Sequence, residues 1–236
     1  MSVQNKVIVV TGAGGAAGPP ACRALAAAGA TVIACDVLES SLHPLADDIR
    51  AEGGTIETHA VDLLDEAATE AWAGELRSRH GHIDGLVHLV GGWRGGKSFV
   101  EEDLADWDFL EQRLVRTLQR TTRAFHAALS DSEAGRAVIV SAKAAGSPSS
   151  KGAHYAAAKA ASEAWMLAVA HGWRASETAA ATILVVNGLV TDEMRAAKPE
   201  AKFASMTDVA DVAKAIVSLW DKPATELNGE RLWLTP

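Results

Sequence analysis

The chain has 236 residues, 48% of them apolar, and a formal charge of −8; this supplies a sizeable core and argues against a broad nucleic-acid surface, since no basic run tracks phosphates. No apolar stretch approaches the roughly 20 residues that span a bilayer, and the N-terminus lacks the basic-then-apolar pattern of a signal peptide, so neither a membrane nor nucleic acid is expected as a partner. Cys22 and Cys35 are too few for a disulfide framework and read as ordinary buried thiols in a reducing cytoplasm.

In chain order, Val7-Ile-Val-Val10 is a short apolar run that predicts a buried strand. A glycine-rich turn, an alanine-rich helix to about Ala28 and a second strand at Thr31–Cys35 complete a βαβ unit. A helix is predicted over Ser40–Ala51, ended by Gly53-Gly54, then a strand over Thr55–Val61 and a helix over Glu66–Arg79 ended by Gly81. Leu86–Val90 predicts the fourth strand, Trp107–Leu129 a long helix, Ala137–Val140 a strand and Tyr155–Ala175 a second long helix. A strand at Thr182–Val186, a helix near Val209–Trp220 and a last strand at Arg231–Leu234 close the pattern. Apolar strands separated by helices favour a parallel sheet covered on both faces. With no linker or repeat, the expectation is a single α/β domain over residues 1–236.

Chemistry enters at the first turn, Thr11-Gly-Ala-Gly-Gly-Ala-Ala-Gly18. A strand feeding such a turn and then a helix presents backbone N–H groups and the positive end of a helix dipole to a pyrophosphate. Gly12 and Gly18 permit tight turning and close approach. Asp36, 24 residues after Gly12 at the end of the second strand, is placed to accept hydrogen bonds from ribose hydroxyls and to repel a 2′-phosphate, which favours NAD(H) over NADP(H). Tyr155, the only tyrosine, stands four residues before Lys159. On a helix the two share a face, and an adjacent ammonium is expected to lower the tyrosine pKa for acid–base work. The histidines show no metal-ligand spacing, and no metal is expected.

These features resemble the short-chain dehydrogenase/reductase family over nearly the whole chain. Thr11, Gly12 and Gly18 match its Thr-Gly-x-x-x-Gly-x-Gly turn, with Ala16 at the middle glycine. Asp62-Leu63 resembles its adenine-contacting pair, and Tyr155 with Lys159 matches its Tyr-x-x-x-Lys pair. The resemblance implies a Rossmann-type doubly wound sheet of about seven strands. It makes Tyr155 the proton donor and assigns Lys159 to the nicotinamide ribose and to the tyrosine. It sets the dinucleotide against Thr11, Gly12, Gly14, Gly15, Ala16, Ala17, Gly18, Asp36, Val37, Asp62, Leu63, Val90, Gly91, Gly92, Gly188 and Val190. It also implies a homodimer or homotetramer through helices 107–129 and 155–175, where Ala156, Ala157, Ala160, Ala161 and Ala164 would allow close approach.

The departures are informative. The family's orienting serine is replaced by Ala142, with Ser141 one residue earlier; its Asn-Asn-Ala-Gly becomes His88-Leu-Val-Gly91, and the asparagine of the central helix falls at Leu114. Strand alternation turns Ser141 away from the place of Ala142 unless the strand bulges. One branch shares these departures: the loop Gly91-Gly-Trp-Arg-Gly-Gly96, the run Ala142-Lys-Ala-Ala145 and the segment Met194 to Phe203 resemble dihydropteridine reductase. The expected substrate is therefore a quinonoid dihydropterin or a similar flat heterocycle, with Trp93 in position to cover it. The alternatives are a carbonyl, 3-oxoacyl or alcohol substrate using Ser141 or no serine at all, and a catalytically weak dinucleotide sensor.

Overall fold

The computed structural model describes residues 3–235. Five strands lead the sheet: β1 (Val7–Thr11), β2 (Thr31–Asp36), β3 (Thr55–Ala60), β4 (Gly85–His88) and β5 (Arg136–Ala142). With β6 (Ala180–Val186) and a late strand, β9 (Arg231–Trp233), they form a seven-stranded sheet in the order β3-β2-β1-β4-β5-β6-β9. Every pairing is parallel; Val9 pairs with Ile33 on one side and Leu86 on the other. A two-stranded ribbon of β7 (Leu189–Val190) and β8 (Thr207–Asp208) stands beside it. Strand order reverses between β1 and β4, and such a switch point opens a crevice at the carboxyl ends of the strands.

Helices α1 (Gly18–Ala27), α2 (His43–Ala51) and α3 (Glu66–His80) follow the first three strands. Alternation along β1 sends Ile8 and Val10 to one face, with Leu25, Val32 and Ile216, and Val7 and Val9 to the other, with Ile33, Leu118 and Phe125. Both faces are packed with apolar side chains, which is why these strands read as continuous apolar runs. One set of polar contacts lies at the amino ends of the strands. Asp84 accepts from the Val7 N–H and the Ser132 hydroxyl, and the Arg136 guanidinium donates to the carbonyls of Leu219, Thr178 and Lys222.

The long central helix departs from its predicted bounds. Asp103 caps α4 (Leu104–Leu110) by accepting from the Ala105 N–H. A π turn over Glu111–Arg116 then joins it to α5 (Thr117–Asp131). Helix α6 (Ala153–Gly172) begins two residues before Tyr155 and stops at Trp173, short of Ala175. Strand β4 ends at His88, so Leu89 and Val90 belong to the loop. Two short helices, α7 (Asp192–Ala197) and α9 (Ala224–Leu227), were not predicted; α8 (Val209–Ser218) was. Among the described residues no helix is long and apolar enough to cross a membrane.

Candidate active site

A cleft runs along the carboxyl ends of the strands on both sides of the switch point. One half, about 530 Å³, is lined by Gly12, Gly14, Gly15, Asp36, Val37, Asp62 and Leu63. The other, about 700 Å³, is lined by Ala16, Ala17, Val90, Gly92, Trp93, Ser141, Tyr155, Lys159 and Gly188 among others. Gly15, Leu89, Val90 and Gly91 line both.

The turn after β1 is built by close approach. Gly12 has a φ of +70°, and a Cβ there would stand 2.6 Å from the Val90 nitrogen. A Cβ on Gly18 would stand 2.2 Å from the Ala13 carbonyl oxygen, so glycine lets the first turn of α1 close on the loop. Pro19 and Pro20 follow within that first turn, where a missing N–H costs no helical bond. Asp36 Oδ2 accepts from the Gly14 N–H at 3.0 Å and Oδ1 from the Val37 N–H at 2.7 Å. A carboxylate has about four acceptor positions, so Asp36 keeps capacity for further donors in the cleft it lines.

Four expected site positions, Thr11, Gly18 and Val190 for the cofactor and Ala142 for the substrate, are buried in the frame. Thr11 is fully buried, its hydroxyl 2.8 Å from His88 Nδ1. Gly18 is buried under Ala13. Ala142 is 2% exposed and lines neither half of the cleft. Val190 is fully buried in β7, and Val186, Asn187, Gly188 and Leu189 line the cleft in its place. Thr191 caps α7 by accepting from the Met194 N–H.

Tyr155 and Lys159 share one face of α6, and both line the cleft. Burial pushes the Tyr155 phenol up to about 12, against the lowering expected from the adjacent ammonium. The cause is an apolar layer behind the ring, where Leu110, Leu114, Val115 and Ala158 cluster with Tyr155, Trp107 and Phe109 packed against them. Leu114 stands in the π turn, where the family resemblance places asparagine. Lys159 Nζ, 5.9 Å from the tyrosine ring centroid, donates to the Val140 carbonyl at 2.7 Å. Burial brings its pKa down to about 8, opposed by the Glu163 carboxylate. Ser141 is engaged elsewhere, donating to Glu163 Oε1 at 2.5 Å.

His88 is the site's buried histidine. The Thr117 hydroxyl donates to the Arg113 carbonyl and lies 3.2 Å from His88 Nε2, so Nε2 carries the proton and Nδ1 accepts from Thr11. Burial, then the Lys159 charge, holds its pKa at about 3, and the ring is neutral. Trp93 is 60% exposed at the mouth of the cleft. The Gly96 N–H donates to the Lys151 carbonyl at 2.7 Å, tying this loop to the residues before α6. Arg94 turns away, its guanidinium 3.8 Å over the Phe109 ring. Met206, Asn187 and Leu189 were not foreseen as lining residues, because nothing in their local sequence marks them.

Residues 6–202 match the short chain dehydrogenase family. A short chain dehydrogenase of Pseudocercospora fijiensis is 34% identical over 160 residues, 67% of this chain and 52% of that protein. The 2,3-dihydro-2,3-dihydroxybenzoate dehydrogenase of Bacillus subtilis is 29% identical over 159 residues, 67% of this chain and 60% of its own length. The chain thus matches between half and two thirds of these relatives. A metagenomic short-chain oxidoreductase crystallised with NADP has a TM-score of 0.79 at 25% identity, over 98% of this chain and 99% of that one. With a family match across most of its length, the glycine turn and the Tyr155–Lys159 pair on one cleft, the chain belongs to the short chain dehydrogenase family.

Proposed function

We propose that this chain is an NADH-preferring reductase of a flat, conjugated heterocycle of the quinonoid dihydropterin type. The observation that carries the reading is the opening of Tyr155, Lys159 and the Gly14–Ala17 turn onto one cleft. Gly14, Gly15, Ala16 and Ala17 would hold a pyrophosphate. Asp36, Val37, Asp62 and Leu63 would hold the adenosine, and Val90, Gly91, Gly92, Gly188 and Lys159 the nicotinamide half. When bound, the dinucleotide supplies the hydride. Tyr155 supplies the proton: a phenol held near 12 stays protonated at neutral pH and acts as an acid. Lys159, charged below about pH 8, orients the bound ribose and offsets negative charge left on Tyr155.

The substrate reading rests on Trp93 and on the missing orienting groups. Ala142 and Leu114 supply no hydroxyl or amide, and the Ser141 hydroxyl is held by Glu163. A conjugated C=N group is already electrophilic and needs less polarisation than a ketone. Trp93 offers an indole face to a flat ring, and Met194, Met206 and Leu189 line the same half of the cleft. A second reading, oxidation of a ring alcohol, is favoured by the likeness to the Bacillus subtilis dehydrogenase. The deciding assay compares NADH with NADPH on quinonoid dihydropterin, ketones and, with NAD, cyclic diols. The account expects the pterin to lead and NADH to be preferred at least tenfold, with Asp36→Ser erasing that preference. A leading diol installs the second reading, and an NADPH preference removes the assignment of Asp36.

A further inference from the structure

Outside the expected catalytic pair, the structure holds a buried ionic network that no part of the proposed reaction uses. Glu163 follows Lys159 by one turn of α6, and both are buried, at 6% and 9% exposure. They grip consecutive residues of β5: Lys159 Nζ donates to the Val140 carbonyl, and Glu163 Oε1 accepts from the Ser141 hydroxyl. The other carboxylate oxygen lies 2.7 Å from the Arg231 guanidinium on β9. Arg231 Nε is itself buried without a partner. The carboxylate is therefore fixed from two strands, beside a lysine whose burial disfavours its charge.

We propose that Glu163 and Arg231 are positioning residues that act through Lys159, Glu163 holding the lysine in its charged form and Arg231 opposing it. The proposal rests on the reading of Lys159 as a working cation of the cleft. Among charges in a buried site, separation decides the effect, because the low dielectric leaves them poorly screened. Glu163 stands one helical turn from Lys159 and favours its charge, and Arg231 pairs with that same carboxylate. The other titratable groups around Lys159 carry no competing charge at neutral pH: His88 on β4 is held neutral, and Tyr155 stays protonated. Charged groups on the remaining elements packed against α6 point elsewhere. Lys143 and Asp108 are exposed, Arg136 at the amino end of β5 donates to backbone carbonyls, Glu111 pairs with Arg116, Arg113 lies over Phe109, and Asp106 pairs with Arg94. Strand β6 carries no charge at all. The family's serine and asparagine positions are apolar here, which leaves this network as the polar support of the lysine.

The opposed signs make the test specific. The Lys159 ammonium is titrated by NMR in lysine-labelled protein without cofactor or substrate, its signal identified by its loss in Lys159→Met. Glu163→Gln is expected to lower the midpoint by about one pH unit or more. Arg231→Gln is expected to raise it, and the double variant, which removes both members of the Glu163–Arg231 ion pair together if a single variant fails to fold, should fall between them. The alkaline limb of kcat/KM should move in parallel. A midpoint unchanged in both single variants, or moved in the same direction by both, overturns the proposal. A midpoint that shifts as expected while the rate profile stays fixed upholds the electrostatic assignment and counts against the catalytic reading of Lys159.

Discussion

At the residue scale, the site is a set of groups whose protonation is decided by burial. Lys159 and Tyr155 are both pushed toward their neutral forms, the lysine to about 8 and the phenol to about 12. That suits a proton donor beside a cation only marginally retained, so activity should fall as pH rises past about 8. His88 makes the complementary case for stability. Its pKa falls from 6.5 to about 3 on folding, so between these values the unfolded chain binds the proton and the native ring does not. Stability is therefore lost as pH drops below 6.5, at up to about 1.4 kcal/mol per pH unit from this one group. Denaturant titrations from pH 7 to pH 4 are expected to show that slope in the native chain and a shallower one in His88→Asn. Equal slopes would mean that the ring protonates inside the fold. Cys22 and Cys35 behave as the sequence suggests, buried thiols held near 12 and unreactive.

At the element scale, the catalytic helix depends on a neighbour that its own sequence does not reveal. The residue before α6 is Gly152, which supplies no side-chain cap. Glu102, from the segment leading into α4, reaches across and accepts from the His154 N–H at 3.3 Å, with its side chain only 2% exposed. Glu102→Ala is expected to cost about 1 kcal/mol, the usual worth of a helix cap. It should also speed hydrogen exchange at residues 96–106 and in the first turn of α6; unchanged exchange would show that this segment is held by the Gly96–Lys151 bond alone. The sequence showed where α6 and the central helix lie, because apolar spacing is a local signal. It hid the π turn at Glu111–Arg116 and the reach of Glu102, which arise from packing between distant segments. The same contrast runs through the site. The spacing of Asp36, Tyr155 and Lys159 marks residues that line the cleft, whereas the burial of Thr11, Gly18, Ala142 and Val190 is set by packing that motif membership does not encode. Glu163 and Arg231, separated by most of the C-terminal third of the chain, meet only once β9 pairs with β6.

At the scale of the whole molecule, the alternation of strands and helices was enough to predict the parallel sheet, and its doubly wound form and about seven strands followed from the family resemblance rather than from periodicity. Assembly is read from the same source and from one surface. Along α6, before the exposed His171 and Gly172 at its end, the outward residues are Ala157, Ala160, Ala164, Leu167 and Ala168, while Ala156 is buried in the fold and Ala161 partly so. Two copies meeting there would bury a smooth apolar face, and the account expects an oligomer in solution that Leu167→Glu converts to single chains by sedimentation. A native chain that sediments as a monomer would contradict that expectation. The central claim is that Tyr155 donates the proton in a nicotinamide-dependent reduction at this cleft. Its most direct test is the rate of NADH oxidation with freshly generated quinonoid dihydropterin, measured for the native chain and for Tyr155→Phe. Turnover is expected to be rapid in the native chain and to fall by about 100-fold or more in the variant; turnover that survives the loss of the hydroxyl would contradict proton donation by Tyr155.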